Sequence, residues 1–160
     1  MKSVKVTSSF QVYERFDQLD ELEQRVMKKA IKMLENVYAP YSNFYVGAAA
    51  ITESGTIYGG CNQENASYPL CICGERVALF NAGANEPNTP IKLLAIVCHN
   101  PSKFLETPVS PCGACRQVIS EFEKRHSKSY PILLKGDSDV IYKVESGTDL
   151  LPMGFDGSYL

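Results

Sequence analysis

Residues 73–84 read CGERVALFNAGA, residues 93–98 read LLAIVC and residues 112–124 read CGACRQVISEFEK. The first and third stretches have helix-forming content. Gly83 and Pro87 supply stop signals for the first, and Val118, Ile119 and Phe122 form an apolar side on the third. The middle stretch is a continuous apolar run of strand length, the pattern of a strand buried on both faces. A helix, a buried strand and a second helix in succession predict an α/β fold, with helices packed on the faces of a partly parallel sheet.

Working outward, apolar residues recur at helical spacing from Leu19 to Val37, through Leu22, Val26, Ala30, Met33 and Leu34. Pro40 ends that helix. Tyr45–Thr52, the turn Glu53-Ser54-Gly55 and Thr56-Ile57-Tyr58 read as a β-hairpin, and Gly59-Gly60 marks a bulge or a close backbone approach. Downstream, residues 131–135 and 140–144 are two more strands around Gly136-Asp137. A short turn or helix around Asp149-Leu150-Leu151 precedes Pro152. The predicted order is α-β-β-α-β-α-β-β, with five strands. Residues 1–17 give no firm element and are read as an N-terminal extension.

The chain has 160 residues, which predicts one domain spanning 1–160. Hydrophobic residues at 44% and charged residues at 21% exclude a disordered or fibrous chain. A net charge of −2 argues against a duplex nucleic-acid partner, which would call for a basic domain. No apolar run is long enough to span a bilayer, and the N-terminus lacks the pattern of a secretory signal. A cytoplasmic protein without nucleic-acid or membrane partners is the expectation.

The six cysteines are Cys61, Cys71, Cys73, Cys98, Cys112 and Cys115. In a reducing compartment such clusters bind metal or do chemistry more often than they form a disulfide scaffold. Cys112 and Cys115, three apart, share one face of a helix, and Cys73 opens the other helix. Three thiolates from two helix N-termini make three corners of a zinc tetrahedron and leave the fourth open, as in a catalytic site. Arg76 and the two helix dipoles offset the negative charge of that set. Glu75, beside a ligand without being needed as one, is placed for general acid–base work. Residues two apart do not share a face of a regular helix, so Cys73 and Glu75 must lie in an irregular opening turn. A closed site of Cys71, Cys73, Cys112 and Cys115 remains the structural alternative. Cys61 and Cys98 read as buried small hydrophobes. His99 and His126 are too isolated to count as ligands.

A C-x-E…P-C-x-x-C arrangement belongs to the zinc deaminases. Further motifs surround it: Ala39-Pro40-Tyr41-Ser42-Asn43-Phe44, Val46-Gly47-Ala48-Ala49, Gly60-Cys61-Asn62-Gln63-Glu64-Asn65-Ala66-Ser67-Tyr68 and Ser110-Pro111-Cys112-Gly113-Ala114-Cys115-Arg116-Gln117-Val118. With the tail Asp149-Leu150-Leu151-Pro152…Phe155, the chain resembles the small homotetrameric cytidine deaminases from about residue 20 to 155. The resemblance implies a three-layer α/β/α fold around a mixed five-stranded sheet. It implies one Zn²⁺ per chain on Cys73, Cys112 and Cys115, with Glu75 as proton shuttle. The reaction would be hydrolysis of cytidine and 2′-deoxycytidine to the uridines in pyrimidine salvage. Phe44 would pack on the pyrimidine, Asn62 and Glu64 would bind ribose, the Gly74 N–H would hold the ring carbonyl, and the backbone at Ser110 would accept from the amino group. Arg76 and Gln117 would hydrogen-bond the thiolates. Ala66, Tyr68 and Phe155 would reach a neighbouring subunit's site in a homotetramer.

Three positions depart from the family pattern: Tyr45 stands for Pro, Gly74 for Ala and Cys71 for Gly. None removes a catalytic group. Two other classes give different expectations. A polynucleotide-editing deaminase needs a basic, aromatic surface. A non-enzymatic zinc module needs the closed four-cysteine site. Within the class, a deaminase of a cytosine-containing antibiotic is set against a nucleoside deaminase by Asn62 and Glu64.

Overall fold

The computed structural model describes the backbone of residues 1–160 and every side chain except that of Tyr159. Six strands form one sheet: β1 (Gln11–Tyr13), β2 (Tyr45–Thr52), β3 (Ile57–Cys61), β4 (Ile91–His99), β5 (Ile132–Lys135) and β6 (Ile141–Val144). Their spatial order is β1-β6-β5-β4-β2-β3. β4 and β5 are parallel, and the other neighbours are antiparallel. The α/β class and the mixed sheet agree with expectation, but the strand count is six, not five. The extra strand is β1, in the extension. It pairs Gln11–Tyr13 with Ile141–Lys143, and Phe10 packs on the Tyr142 ring.

The helices are α1 (Glu21–Met33), α2 (Gly74–Asn85), α3 (Gly113–His126) and the short α4 (Gly147–Leu150). Asp20 caps α1 by accepting from the Glu23 amide, and the Glu23 side chain accepts from the Asp20 amide. Residues of β2 point alternately to opposite faces. Ala49 and Ile51 join Val26, Met27 and Ala30 of α1, whereas Val46, Ala48 and Ala50 join Ala78, Leu79, Ile119 and Phe122 of α2 and α3. The result is α1, then the sheet, then α2 with α3.

α2 connects β3 to β4, and α3 connects β4 to β5. Both steps run the same way across the sheet, so the right-handed crossover rule puts both helices on one face. Their N-termini then meet near the carboxyl ends of β3 and β4. Contact is close there. A Cβ on Gly60 would stand 2.3 Å from the Ala78 nitrogen and 2.5 Å from the Gly74 carbonyl oxygen. The Gly59-Gly60 signal is therefore a close approach within a continuous strand, not a bulge. No described helix is long and apolar enough to cross a membrane.

Candidate active site and metal centre

Cys73 is the N-cap of α2 and Cys112 the N-cap of α3, each with extended backbone. Cys115 lies one turn into α3. The sulfur atoms of Cys73, Cys112 and Cys115 all lie within 4.8 Å of one another, and the Cys112 and Cys115 sulfurs are 3.3 Å apart. Because Cys73 caps the helix while Glu75 is its second residue, the two need not share a regular helical face. Cys71 falls outside the trio. Its sulfur accepts from the Asn65 amide at 3.3 Å and faces the Asn65 carbonyl at 3.6 Å.

The electrostatics of the trio follow from its crowding. The Cys115 thiol and the Arg76 guanidinium favour the Cys73 thiolate over the opposing effect of burial and bring its pKa down to about 5. That thiolate, together with burial, pushes Cys115 up. A divalent cation held here would supply the positive charge needed for all three to ionise. Arg76 contributes through Nη2, 3.9 Å from the Cys73 sulfur and 3.4 Å from the Cys71 carbonyl oxygen.

Glu75 is 3% exposed, and burial raises its carboxyl above the usual range. Its Oε2 and the Arg76 Nε are buried without a hydrogen-bond partner among the described residues. Buried polar atoms are normally satisfied, so an orphaned carboxylate oxygen beside three thiols marks a place for a ligand. Three soft sulfur donors suit zinc, and a carboxyl outside the donor set suits proton transfer.

A cavity of about 430 Å³ opens over this group. Phe44, Val46, Ile96 and Cys98 line it from the strand ends, Asn62 and Glu64 from the segment after β3, and Val109, Ser110 and Pro111 from the loop before α3. Asn62 is 8% exposed. Its Oδ1 accepts from the Val46 amide and its Nδ2 donates to the Phe44 carbonyl, both at 2.9 Å, so it pins the strand that presents Phe44. Glu64 Oε2 accepts from the Tyr41 amide at 2.8 Å and the Ser42 amide at 3.3 Å. The Ser42 hydroxyl and these amides hold its carboxyl below the ordinary range. Gly74, first in α2, is buried against β2. A Cβ there would lie 2.5 Å from the Val46 carbonyl oxygen, so packing holds this glycine in place despite its intrinsic freedom. Its N–H is among the donors that a helix start leaves without an internal partner.

Other expected site residues stand apart from the cavity. Ala66, Tyr68 and Phe155 are exposed and do not line it. Tyr68 and Tyr41 instead flank an adjoining hollow with Ser42, Glu64 and Cys71. The Gln117 amide donates to the Phe155 carbonyl at 2.9 Å, so in this chain it anchors the C-terminal tail in place of the expected thiolate hydrogen bond. Sequence reasoning passed over Arg116. Its Nε donates to the Pro111 carbonyl at 2.8 Å and its Nη1 to the Leu150 carbonyl at 2.9 Å, tying the turn before Cys112 to α4. Its place in Cys112-Gly113-Ala114-Cys115-Arg116 was the available signal. Cys61 and Cys98 are buried, and Cys98 also forms part of the cavity floor.

Residues 20–128 match the family model described as the cytidine and deoxycytidylate deaminase zinc-binding region. The chain belongs to the cytidine and deoxycytidylate deaminase family. It is 46% identical over 114 residues to a cytidine deaminase of Sporosarcina psychrophila, a match covering 71% of this chain and 79% of that protein. It is 41% identical over 132 residues to a cytidine deaminase of Halalkalibacterium halodurans, covering 82% and 92%. The crystal structure of cytidine deaminase from Burkholderia pseudomallei superposes with a TM-score of 0.70 at 42% identity, covering 82% of this chain and 97% of that one. The expectations of a deaminase enzyme with a zinc cofactor and an α/β fold accordingly stand.

Proposed function

We propose that this deaminase hydrolyses cytidine and 2′-deoxycytidine to uridine and 2′-deoxyuridine, releasing ammonia, as a step of pyrimidine salvage. The observation that carries the reading is the buried, unpartnered Oε2 of Glu75 beside the Cys73, Cys112 and Cys115 thiols. Zinc held by those thiols supplies, when bound, the Lewis acidity that makes water a competent nucleophile at neutral pH. Glu75 moves both protons of the attacking water, the first to the ring nitrogen, where it stays in the uridine product, and the second to the amino group, which leaves as ammonia. A carboxyl raised by burial is suited to both directions of that transfer.

Phe44 flanks the pyrimidine, the Gly74 N–H holds the ring carbonyl and the Ser110 carbonyl accepts from the amino group. Glu64 uses Oε2 on the Tyr41 and Ser42 amides, which leaves Oε1 to accept from a ribose hydroxyl. Asn62 keeps one N–H and one lone pair for the same sugar. The net charge of −2 favours a free nucleoside over a nucleic-acid strand. Residues 1–160 act as one deaminase unit, with 1–17 an extension. The setting is a reducing cytoplasm, in keeping with six free thiols. Ala66, Tyr68 and Phe155 complete the site of a neighbouring subunit in a homotetramer. Their exposure, and the place of Tyr68 in the hollow that adjoins the cavity, support this.

Ultraviolet monitoring of cytidine and 2′-deoxycytidine with purified protein, alongside zinc counting, tests the reaction. Conversion of both with one zinc per chain is expected, and a zinc-loaded protein that converts neither overturns the proposal. Sedimentation at assay concentration tests the assembly. A fully active monomer contradicts it, whereas a tetramer whose KM rises on deletion of residues 153–160 agrees.

A further inference from the structure

The loop 100–112 carries one wall of the cavity, through Val109, Ser110 and Pro111, yet has no helix or strand of its own. Ordering a connection of this length costs backbone entropy at every residue, so something must hold it. The turn between β5 and β6 does so. Asp137 Oδ2 accepts from the Leu105 amide at 2.8 Å, and the Asp137 amide donates to the Leu105 carbonyl at 2.9 Å. The Ser138 hydroxyl donates to the Glu106 carbonyl at 2.6 Å. A Cβ on Gly136 would stand 2.6 Å from the Leu105 carbonyl oxygen, so loop and turn are in direct backbone contact.

The second oxygen of Asp137 reaches the root of the same loop. Oδ1 lies 2.5 Å from His99 Nδ1. An ionised carboxylate only accepts, so Nδ1 carries the hydrogen. The His99 ring also meets the Tyr45 ring edge-on, with centroids 6.0 Å apart. His99 follows Cys98, and Tyr45 follows Phe44, both of which line the cavity. The Asp137 side chain is 13% exposed. Burial works to raise its carboxyl, but the hydrogen bonds from His99 and Leu105 and the charges of His99 and Lys135 outweigh it and hold the group below its ordinary range.

We propose that Asp137 is a positioning residue of the deaminase pocket, joining the end of β4 at His99 to the middle of the loop at Leu105 and so fixing the wall that presents Ser110. This rests on the proposed nucleoside site for its kinetic consequence, but not for the clamp itself. Two donors converge on Asp137, and each needs its own acceptor oxygen. An asparagine offers one acceptor oxygen and a donor group, and cannot serve both N–H groups at once.

The test combines Asp137→Asn with the pair His99→Ala and His99→Asn, whose amide nitrogen stands where Nδ1 stands. Asp137→Asn should raise KM for cytidine about 10-fold while kcat changes less than about 3-fold and zinc is retained, the scale of one lost hydrogen bond to a charged group. His99→Ala should raise KM in the same sense, and His99→Asn should restore it. Hydrogen exchange at the Leu105, Val109 and Ser110 amides should accelerate together in Asp137→Asn and His99→Ala. Unchanged exchange at Val109 and Ser110 overturns the proposal whether or not cytidine is turned over. Equal losses in His99→Ala and His99→Asn, tracking thermal stability, also overturn it. Should Asp137→Asn not fold, the His99 pair decides alone. Absence of turnover in the zinc-loaded wild type tells against the nucleoside reading instead, and leaves the exchange measurement to judge the clamp.

Discussion

Glu23 and Glu75 are the same residue type at similar depth, 6% and 3% exposed, each in the first turn of a helix packed on the sheet. Their surroundings differ completely. On the α1 face, Glu23 Oε2 accepts from the Asp20 amide at 3.0 Å and Oε1 meets the Lys143 ammonium at 2.9 Å. On the face of α2 and α3, Glu75 Oε2 meets no hydrogen-bond partner among the described residues. Glu123, 4% exposed on the same helix as Cys115, is also satisfied, accepting from the Gly147 amide and the Ser146 hydroxyl. A buried carboxylate oxygen left without a partner costs free energy that folding does not recover. The difference sets two carboxylates satisfied within the fold, Glu23 and Glu123, against one with an oxygen unsatisfied beside three thiols, as the proposed proton-carrying role of Glu75 requires.

The comparison can be broken first at Glu75. Glu75→Gln should keep zinc and fold but lose at least about 100-fold in kcat, since general acid–base terms run roughly 10²–10⁴. Turnover close to wild type would remove the proton-carrying role. A pH dependence sharpens it. Burial holds the Glu75 carboxyl above its unfolded value, so the folded chain binds the extra proton. Stability then falls as pH rises from about 4.3 through the folded value. In zinc-free protein, thermal melts should therefore show Glu75→Gln gaining on wild type across that window, and a constant difference would contradict the desolvation argument.

Arg76→Gln should cost about 10- to 100-fold in activity or zinc affinity, because the guanidinium offsets the thiolate charge. Unchanged activity and an unchanged pH–rate profile would show that the offset is not needed. Glu23→Gln should do the reverse of Glu75→Gln: a loss of about 1–3 kcal/mol in unfolding free energy, with kcat as in wild type. A kcat loss without a stability loss would reverse the assignment of the two glutamates. Removing residues 1–13, and with them β1, should have the smallest effect, about 1–2 kcal/mol, from lost cross-strand pairs at the β6 edge. A collapse of activity on that deletion would show that the extension reaches the site.

Much of the fold was legible because its signals are local. The apolar spacing from Leu19 to Val37 gave α1, although the regular helix stops at Met33 and a 3₁₀ turn continues through Asn36. The Val-Ala-Ile run gave β2, and the buried run at 93–98 gave the centre of β4. β1 was not legible. Three residues carry no period, and their register comes from β6 and the Phe10–Tyr142 contact, far away in sequence. At the site, residue types and spacing singled out the trio and Glu75. The second sulfur choice, Cys71 or Cys73, depended on which residue caps α2, a matter of backbone geometry. Gln117 was placed on the thiolates by resemblance, but a tail carbonyl competes for its amide. The bridging roles of Arg116 and Asp137 arise from contacts across the fold that no local pattern encodes.

Cys73, Cys112 and Cys115 on the α2–α3 face, with Cys71 outside the set, are the thiols that would hold zinc beside Glu75. Zinc per chain, measured by atomic absorption in Cys71→Ser and Cys73→Ser, tests this most directly. A serine hydroxyl binds zinc far more weakly than a thiolate. Cys71→Ser should therefore retain one zinc and most of the activity, while Cys73→Ser should lose both. Loss of zinc from Cys71→Ser with retention in Cys73→Ser would contradict the account and point to a different ligand set.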